Sequence, residues 1–520
     1  MTQADQPNVL FIMCDQLRAD AIAALGNRHI HTPNIDRLVQ RGASFTNAYS
    51  SCPICVPSRY TIRTGCESPT TGYFNNRKPE PDVVGQSTVD QRCGPYLAQR
   101  MTELGYRTFG IGKFHTHPRY EDVGYETVFR AEEGAGPRDL DGGDAYYTYI
   151  RREHPEYAHI EQLHGERSEM YFMPQANPLP PELNHEAFCA DRAVDMLGPE
   201  ADDGRPFFGM VSFVGPHPPL APPVPFNRLY HPDRMPAPIK GDPAIDDADG
   251  WLGRSRYAMF AHDAMDPVRI AACRARYYGE VTYIDWCIGK ILDAVEARPD
   301  ADNTAIVFFS DHGEALGDHN AIQKESFFEQ STRVPLLVSW PAKLGGGRRF
   351  DGLATLSDLF ALATSLAGQP ELREGHDQLS ALLSDGPRRE RVVGWFGRPG
   401  TREFKMMIRR DRWKYIYFAN GGRELLFDVH ADPEERRDLS VALAERTAAL
   451  RDEAQQVAAE AAGRPGCPTL LVDGQLPRWP FEPLPPIRVV QLASGVKGYP
   501  DHPADVLEHW QPRFSTEYHG

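Results

Sequence analysis

Four apolar runs in this chain each stop at residues with titratable or metal-ligating side chains. Pro7 to Cys14 (PNVLFIMC) ends at Asp15-Gln16, and Tyr106 to Ile111 ends at Gly112-Lys113-Phe114-His115. Pro206 to Val214 (PFFGMVSFV) runs into Gly215-Pro216-His217, and Thr304 to Ser310 (TAIVFFS) into Asp311-His312. A run that is apolar at every position fits a strand covered on both faces, as in a parallel sheet between helices. In such open sheets chemistry gathers at the carboxyl ends of the strands. An Asp after one strand is ordinarily a helix cap, and Lys and His two apart can be solvated surface. Repetition on separate strands argues for a shared site instead. His217, set between prolines, is held rigidly, as a catalytic group should be.

The intervening segments read as helices. Pro33 to Gly42 starts on proline and closes on glycine, Gly94 to Gly105 also ends in glycine, and His185 to Leu197 follows. Ala271 to Ala297 carries Tyr277, Tyr278, Val281, Ile284, Ile288 and Ile291 at core spacing. Val334 to Ser339 reads as one more strand. Residues 130–184 and the proline-rich 216–248 lack periodicity and are expected at the mouth of a pocket, as an insertion and a lid. From about Gly375 the pattern becomes short and alternating: Arg391–Phe396, Phe404–Arg409, Trp413–Phe418 and Glu424–Asp428, then a helix over Leu439–Ala461. The expected division is a catalytic domain over 1–385, a small α+β subdomain over 386–475, and a tail over 476–520. The tail's Trp479, Phe481, Trp510, Phe514 and Tyr518 cannot form a core alone and are expected to support a homo-oligomer.

Net charge of −16 sets the surface against nucleic acid and anionic membranes. An anionic substrate therefore requires basic residues concentrated in one pocket. No apolar run is long enough to span a bilayer, and the N-terminus has no basic stretch before its short apolar run. Nine cysteines, an odd and scattered set, suit a reducing compartment, so a cytoplasmic location is expected.

The remaining chemistry lies in Ser51 to Gly65, SCPICVPSRYTIRTG. Cys52 and Cys55 form a C-x-x-C that could be a redox pair or half of a zinc site, although no second pair lies at zinc-finger spacing. Pro57 can fix a first helical turn, placing Arg59 one turn from Cys55. A thiol at a helix N-terminus beside a guanidinium is a reactive arrangement.

Cys55-Val56-Pro57-Ser58-Arg59 also resembles the C-x-P-S-R signature of type I sulfatases, with Thr64-Gly65 as its continuation. Gly-Lys-Phe-His at 112–115, Pro-His-Pro-Pro at 216–219 and Asp311-His312 follow in the family's order. So do W-K-Y-I-Y at 413–417 and L-F-D-x-x-x-D-P-x-E at 426–435. The resemblance runs from Asn8 to roughly Leu439. It implies the α/β fold of the alkaline phosphatase superfamily, a large mixed sheet sandwiched by helices with a smaller C-terminal antiparallel sheet. It further implies that a formylglycine-generating enzyme converts Cys55 to formylglycine, and that one divalent metal is held by Asp15, Gln16, Asp311, His312 and the modified residue 55. By the same resemblance the hydrated aldehyde attacks sulfur, while Arg59, Lys113 and Lys324 neutralise the sulfate oxygens. His217, assisted by Lys324, protonates the leaving alcohol, His115 drives release of sulfate, and Asn75 contacts substrate.

The chain departs from the commonest pattern at Gln16 and His312, where many members carry Asp and Asn. Asp-Gln with Asp-His looks more like the choline sulfatase and phosphonate monoester hydrolase branches. Calcium is the first expectation, with manganese made credible by the amide and imidazole. The phosphonate hydrolases that resemble this chain tend to place neutral hydroxyl residues at the Lys113-His115 element and to use C-x-P-A-R. Hydrolysis of sulfate monoesters, arylsulfatase-like, is therefore expected, with phosphonate monoester or phosphodiester hydrolysis as the alternative.

Overall fold

In the computed structural model, residues 6–482 are described except 80, 136–138, 140–142, 158, 161, 166–171, 247–265 and 385. The main sheet has eight strands: β1 (Asn8–Asp15), β2 (Ala43–Tyr49), β3 (Arg107–Gly112), β4 (Thr127–Arg130), β5 (Phe207–Pro216), β6 (Thr304–Ser310), β7 (Leu336–Ser339) and β8 (Arg348–Thr355). Their order is β4-β3-β5-β1-β6-β7-β2-β8. Only β7 runs against its neighbours, β6 and β2; the other pairings are parallel.

β1 is apolar throughout because it faces two cores. Leu10, Ile12 and Cys14 pack with Ile306 and Phe308 under helices Pro33–Arg41, His185–Leu197 and Pro267–Glu296. Val9, Phe11 and Met13 pack with Val307 and Phe309 on the other face, against helices Leu97–Glu103 and Asp358–Leu366. The expected stripe on the long helix is buried core, from Tyr277 to Ile291.

A second sheet is an antiparallel meander of β9 (Arg391–Phe396), β10 (Lys405–Arg410), β11 (Trp413–Phe418) and β12 (Arg423–Asp428). One face packs against helix Ala444–Ala461 through Leu450, Ala454, Val457 and Ala458. The other face presents Met407, Ile416, Phe418, Leu425 and Phe427 to Tyr49, Cys52, Ile54, Phe327 and Phe328 of the main domain. The chain then returns along this sheet: Trp479 N–H donates to Ala419 O at 2.8 Å, and Gly421 N–H to Trp479 O at 2.9 Å. The rest of the expected oligomerising tail, with Trp510, Phe514 and Tyr518, lies outside the described residues.

Two expectations need correction. The segment 130–184 is not irregular throughout. It contains the helix Ala145–Glu153, capped by Asp144 and anchored in the core by Tyr146, Tyr147 and Ile150. Nor do the described residues of 218–246 line the pocket at the sheet's edge, so the proline-rich segment is not its lid among them. No helix among the described residues is long and apolar enough to cross a membrane.

Candidate active site

Strands β3, β5, β1 and β6 are adjacent and parallel, so their carboxyl ends open on one edge. That edge receives Lys113, His217, Asp15 and Asp311-His312, the four groups that end the apolar runs. The pairing of β1 with β5 shifts register between Cys14 and Asp15, and Gln16 then takes φ of 69°. His115, Gln323 and Glu325 also have positive φ (54°, 72° and 77°). Left-handed backbone in non-glycine residues is costly and concentrates where a site dictates geometry.

Cys55 opens the helix Cys55–Thr64, every residue of which is buried. Its N-cap position is Ile54, which has no capping side chain. The missing acceptor comes from Asn76, whose Oδ1 receives Val56 N–H at 2.9 Å. Ser58 Oγ lies 2.7 Å from both Cys52 O and Ser50 Oγ, tying down the loop that leads into the helix. Gly65 ends the helix at φ of 67°, where a Cβ would meet Phe360 at 2.8 Å.

Around the Cys55 sulfur the groups are close and dry. Sγ lies 3.2 Å from His312 Nε2, 3.1 Å from Lys324 Nζ and 3.7 Å from Asp15 Oδ1. Arg59 crosses beneath, with Nη2 2.9 Å from Asp15 and Nε 3.0 Å from Asp311, and all three side chains are fully buried. Lys113 Nζ meets Asp15 at 2.6 Å and Glu133 at 2.9 Å. Burial opposes the charge on Asp15, yet Lys113, His217, Arg59 and Lys324 outweigh it and hold its carboxyl well below the usual range. Burial, with the charge of Asp15 added, pushes Asp311 up to about 6.

One ligand atom each from Asp15, Cys55, Asp311 and His312 can be placed within 4.8 Å of one another. The donor set suits a divalent cation with oxygen-rich ligation and one imidazole. His312 Nδ1 lies 3.1 Å from Gly313 O, so that nitrogen donates and Nε2 is the one presented. Burial and then Lys324 keep this imidazole neutral, its pKa well below the ordinary value. Gln16 lies beside the cluster. Its Oε1 accepts from Lys324 Nζ, its Nε2 donates to Glu314, and its carbonyl receives the Tyr277 hydroxyl at 2.7 Å.

The remaining expected residues converge on the same cavity, which is lined by Cys55, Asn75, His115, His217 and Lys324 among others. His217 Nδ1 is 2.7 Å from Pro218 O and 3.3 Å from Glu133. Burial lowers His217 to about 3, with Glu133 opposing the shift and Lys324 and Lys113 adding to it. Burial and then Lys113 hold His115 neutral, well below the usual histidine range, and its backbone N–H donates to Glu132. Asn75 Nδ2 approaches Glu403 at 3.4 Å. Three participants escaped the sequence reading: Asn76, Glu132 and Glu133. The two glutamates sit in a Gly- and Pro-rich run with no periodicity, so nothing local marked them.

The C-x-x-C reading and the reactive-thiol reading are both corrected. All nine cysteines are free, and Cys52 faces Phe74 O rather than Cys55. Burial and then Asp15 push the Cys55 thiol up to about 12, because the carboxylates beside it outweigh the helix terminus. As a bare cysteine it is a poor nucleophile.

The model of the family described as Sulfatase matches residues 7–369. An arylsulfatase of Clostridium perfringens is 28% identical over 450 residues, covering 84% of this chain and 90% of that protein. A choline-sulfatase of Rhizobium meliloti is 28% identical over 455 residues, covering 84% and 82%. Among solved structures, the phosphonate monoester hydrolase of Agrobacterium radiobacter superposes with a TM-score of 0.73 at 26% identity, over 88% of this chain and 96% of that one. With the match spanning the main sheet, its strand-end residues and the Cys55 helix, the chain belongs to the sulfatase family of the alkaline phosphatase superfamily and is a sulfuric ester hydrolase.

Proposed function

We propose that this protein hydrolyses sulfate monoesters with formylglycine at position 55 as the nucleophile. The observation that carries the reading is the gathering of Arg59, Lys113, Lys324 and His115 around residue 55, a donor for each of several sulfate oxygens. Asp15, Asp311, His312 and the modified residue 55 would hold a divalent cation, calcium or manganese, with the Gln16 amide beside them. When bound, that cation supplies positive charge that favours ionisation of the attacking hydroxyl. Arg59, fixed by two carboxylates, orients residue 55 and stabilises charge developing on sulfate oxygens. Lys324, 3.1 Å from Sγ, does the same from the opposite side and assists His217, which protonates the leaving oxygen. His115, neutral in its buried setting, takes the proton whose loss releases sulfate from residue 55. Maturation then needs a formylglycine-generating enzyme.

A second reading, phosphonate monoester or phosphodiester hydrolysis, is favoured by Gln16 and His312 and by the superposition on the Agrobacterium enzyme. Lys113 and His115 argue against it, since a diester has only two free oxygens and a second substituent that must fit where these donors sit. The test compares kcat/KM for an aryl sulfate and an aryl phenylphosphonate with the same leaving group and metal. Sulfate is expected to be preferred, and a clear preference for the phosphonate overturns the assignment.

A further inference from the structure

Beyond the groups assigned to chemistry, the cavity wall consists of Ile54, Asn75, Asn76, Arg77, Glu133, Gln323, Glu325 and Glu403. Its volume is about 640 Å³ including the open mouth, within the ordinary range for small-molecule sites. Among the described lining residues there is no aromatic ring, and Ile54 is the one apolar side chain outside the Cys55 group. An aryl group or a quaternary ammonium gains most from aromatic faces, which this wall does not provide.

The wall offers hydrogen-bonding groups of both senses. Gln323, 2% exposed, has a buried Nε2 with no partner among the described residues. Its backbone is fixed at φ of 72° next to Lys324, so a donor is held in the wall. A buried unpaired amide costs about 1–3 kcal/mol and calls for an occupant that accepts from it. Arg77 is a second donor. Glu403 is an acceptor that reaches the cavity from the β9–β10 hairpin. Its Oε2 receives only long contacts, 3.4 Å from Asn75 Nδ2 and 3.4 Å from Arg398 N. Gly397 N–H donates to Phe74 O at 2.8 Å and docks that hairpin against the segment carrying Asn75. The wall's three glutamates outnumber its single arginine.

From this we infer that the alcohol released from the sulfate ester is polyhydroxylated and carries no acidic group of its own, as in a neutral or amino sugar. The inference rests on the sulfatase reading and specifies its substrate class. Sugar hydroxyls both donate and accept, matching Glu403 with Gln323 and Arg77. A uronate would set its carboxylate against Glu133, Glu325 and Glu403, a like-charge contact in a partly desolvated cavity. Glu403 and Gln323 are then specificity-determining residues.

The test uses the full-length, formylglycine-containing, metal-replete enzyme. Its substrates are the monosulfated isomers of glucose, glucosamine and glucuronate, with 4-nitrophenyl sulfate as reference. At least one glucose or glucosamine sulfate should exceed every glucuronate sulfate by tenfold or more in kcat/KM. Glu403→Ala and Gln323→Ala should each lower the ratio of sugar to aryl turnover at least tenfold, and Glu403→Gln should restore much of it for glucose esters. A Cys55→Ser variant supplies a readout independent of turnover: the preferred sugar sulfate should bind it at least tenfold more weakly once Glu403→Ala is added. If all sugar sulfates are inert while 4-nitrophenyl sulfate is cleaved, the inference is overturned and the sulfatase reading stands. Equal or better turnover of glucuronate esters also overturns it. Cleavage of an aryl phenylphosphonate with no sulfate ester turned over sinks the sulfatase reading itself.

Discussion

At residue scale the site is a problem in holding unlike charges together without water. Asp15 and Asp311 share Arg59, and Lys113 completes Asp15, so neither carboxylate is buried alone. Asp311→Ala therefore removes both a proposed metal ligand and the partner of Arg59 Nε. Metal content and turnover should fall together, each at least a hundredfold in affinity or rate, measured by metal analysis after dialysis and by initial rates. Full metal stoichiometry in that variant would show the cation to be held elsewhere. His115 has a different place, neutral and off the carboxylate cluster. His115→Ala should leave a first burst of alcohol intact and slow the steady state, with sulfated residue 55 visible by mass spectrometry; an unaltered steady state removes it from release. The ligand-like residues were legible because each ends an apolar run. Glu133 was not, because its role arises only when the turn after β4 brings it between Lys113 and His217. Asn76 escaped for a related reason. Capping rules look at the residue before the helix, which is Ile54, whereas the acceptor comes from the loop at 76.

Element scale explains motifs the sequence presented without a function. Lys414, in the W-K-Y-I-Y strand β11, is fully buried between Glu329 at 2.9 Å and Glu435 at 2.7 Å. Glu435 is the last residue of the L-F-D-x-x-x-D-P-x-E motif and also accepts Glu329 N–H at 2.7 Å. These two motifs thus clamp the small sheet onto the short helix Glu329–Thr332, a few residues after Lys324. A similar device anchors helix Pro33–Arg41. Asp285, on the long helix and 1% exposed, accepts N–H bonds from Asn34 and Ile35. Burial nevertheless raises Asp285 from 3.8 to about 6. The folded state then binds this proton more tightly than the unfolded chain does. Its contribution to stability is present below about pH 4, is lost as pH rises to about 6, and is flat above. In Asp285→Asn that slope disappears. The stability of the natural protein relative to the variant should fall by on the order of 2–3 kcal/mol between pH 4 and 7. Urea unfolding of both across that range is the check, and a pH-independent difference refutes the assignment. The helix Ala145–Glu153 was illegible because its aromatic face is short and its surroundings read as loop. Strand periodicity, by contrast, survived because burial on both faces leaves no polar position to blur it.

At the scale of the whole molecule, the sequence suggests a boundary near 385, but the physical chemistry joins what lies on either side. The small sheet's inner face shares one apolar cluster with Tyr49, Cys52 and Ile54, which lead into the Cys55 helix, and with Phe327 and Phe328, which follow Lys324. Trp395 N–H donates to Ser51 O at 2.7 Å, and Lys405 Nζ to Glu325 O at 2.8 Å. The walls of the catalytic pocket are therefore packed against the small sheet, and neither part has a complete core without the other. Unfolding should be a single cooperative event for these regions. Phe427, fully buried in that cluster, is the probe. Phe427→Ala should cost about 3–5 kcal/mol from lost burial and the cavity left behind. Although the substitution is on β12, the amides of the Cys55 helix and those of β10 and β11 should lose hydrogen-exchange protection by the same amount. Calorimetry should show one transition moved to lower temperature, with loss of activity following the same curve. Two separated transitions, with the Cys55 helix still protected after the small sheet has melted, would show that the shared cluster does not couple them.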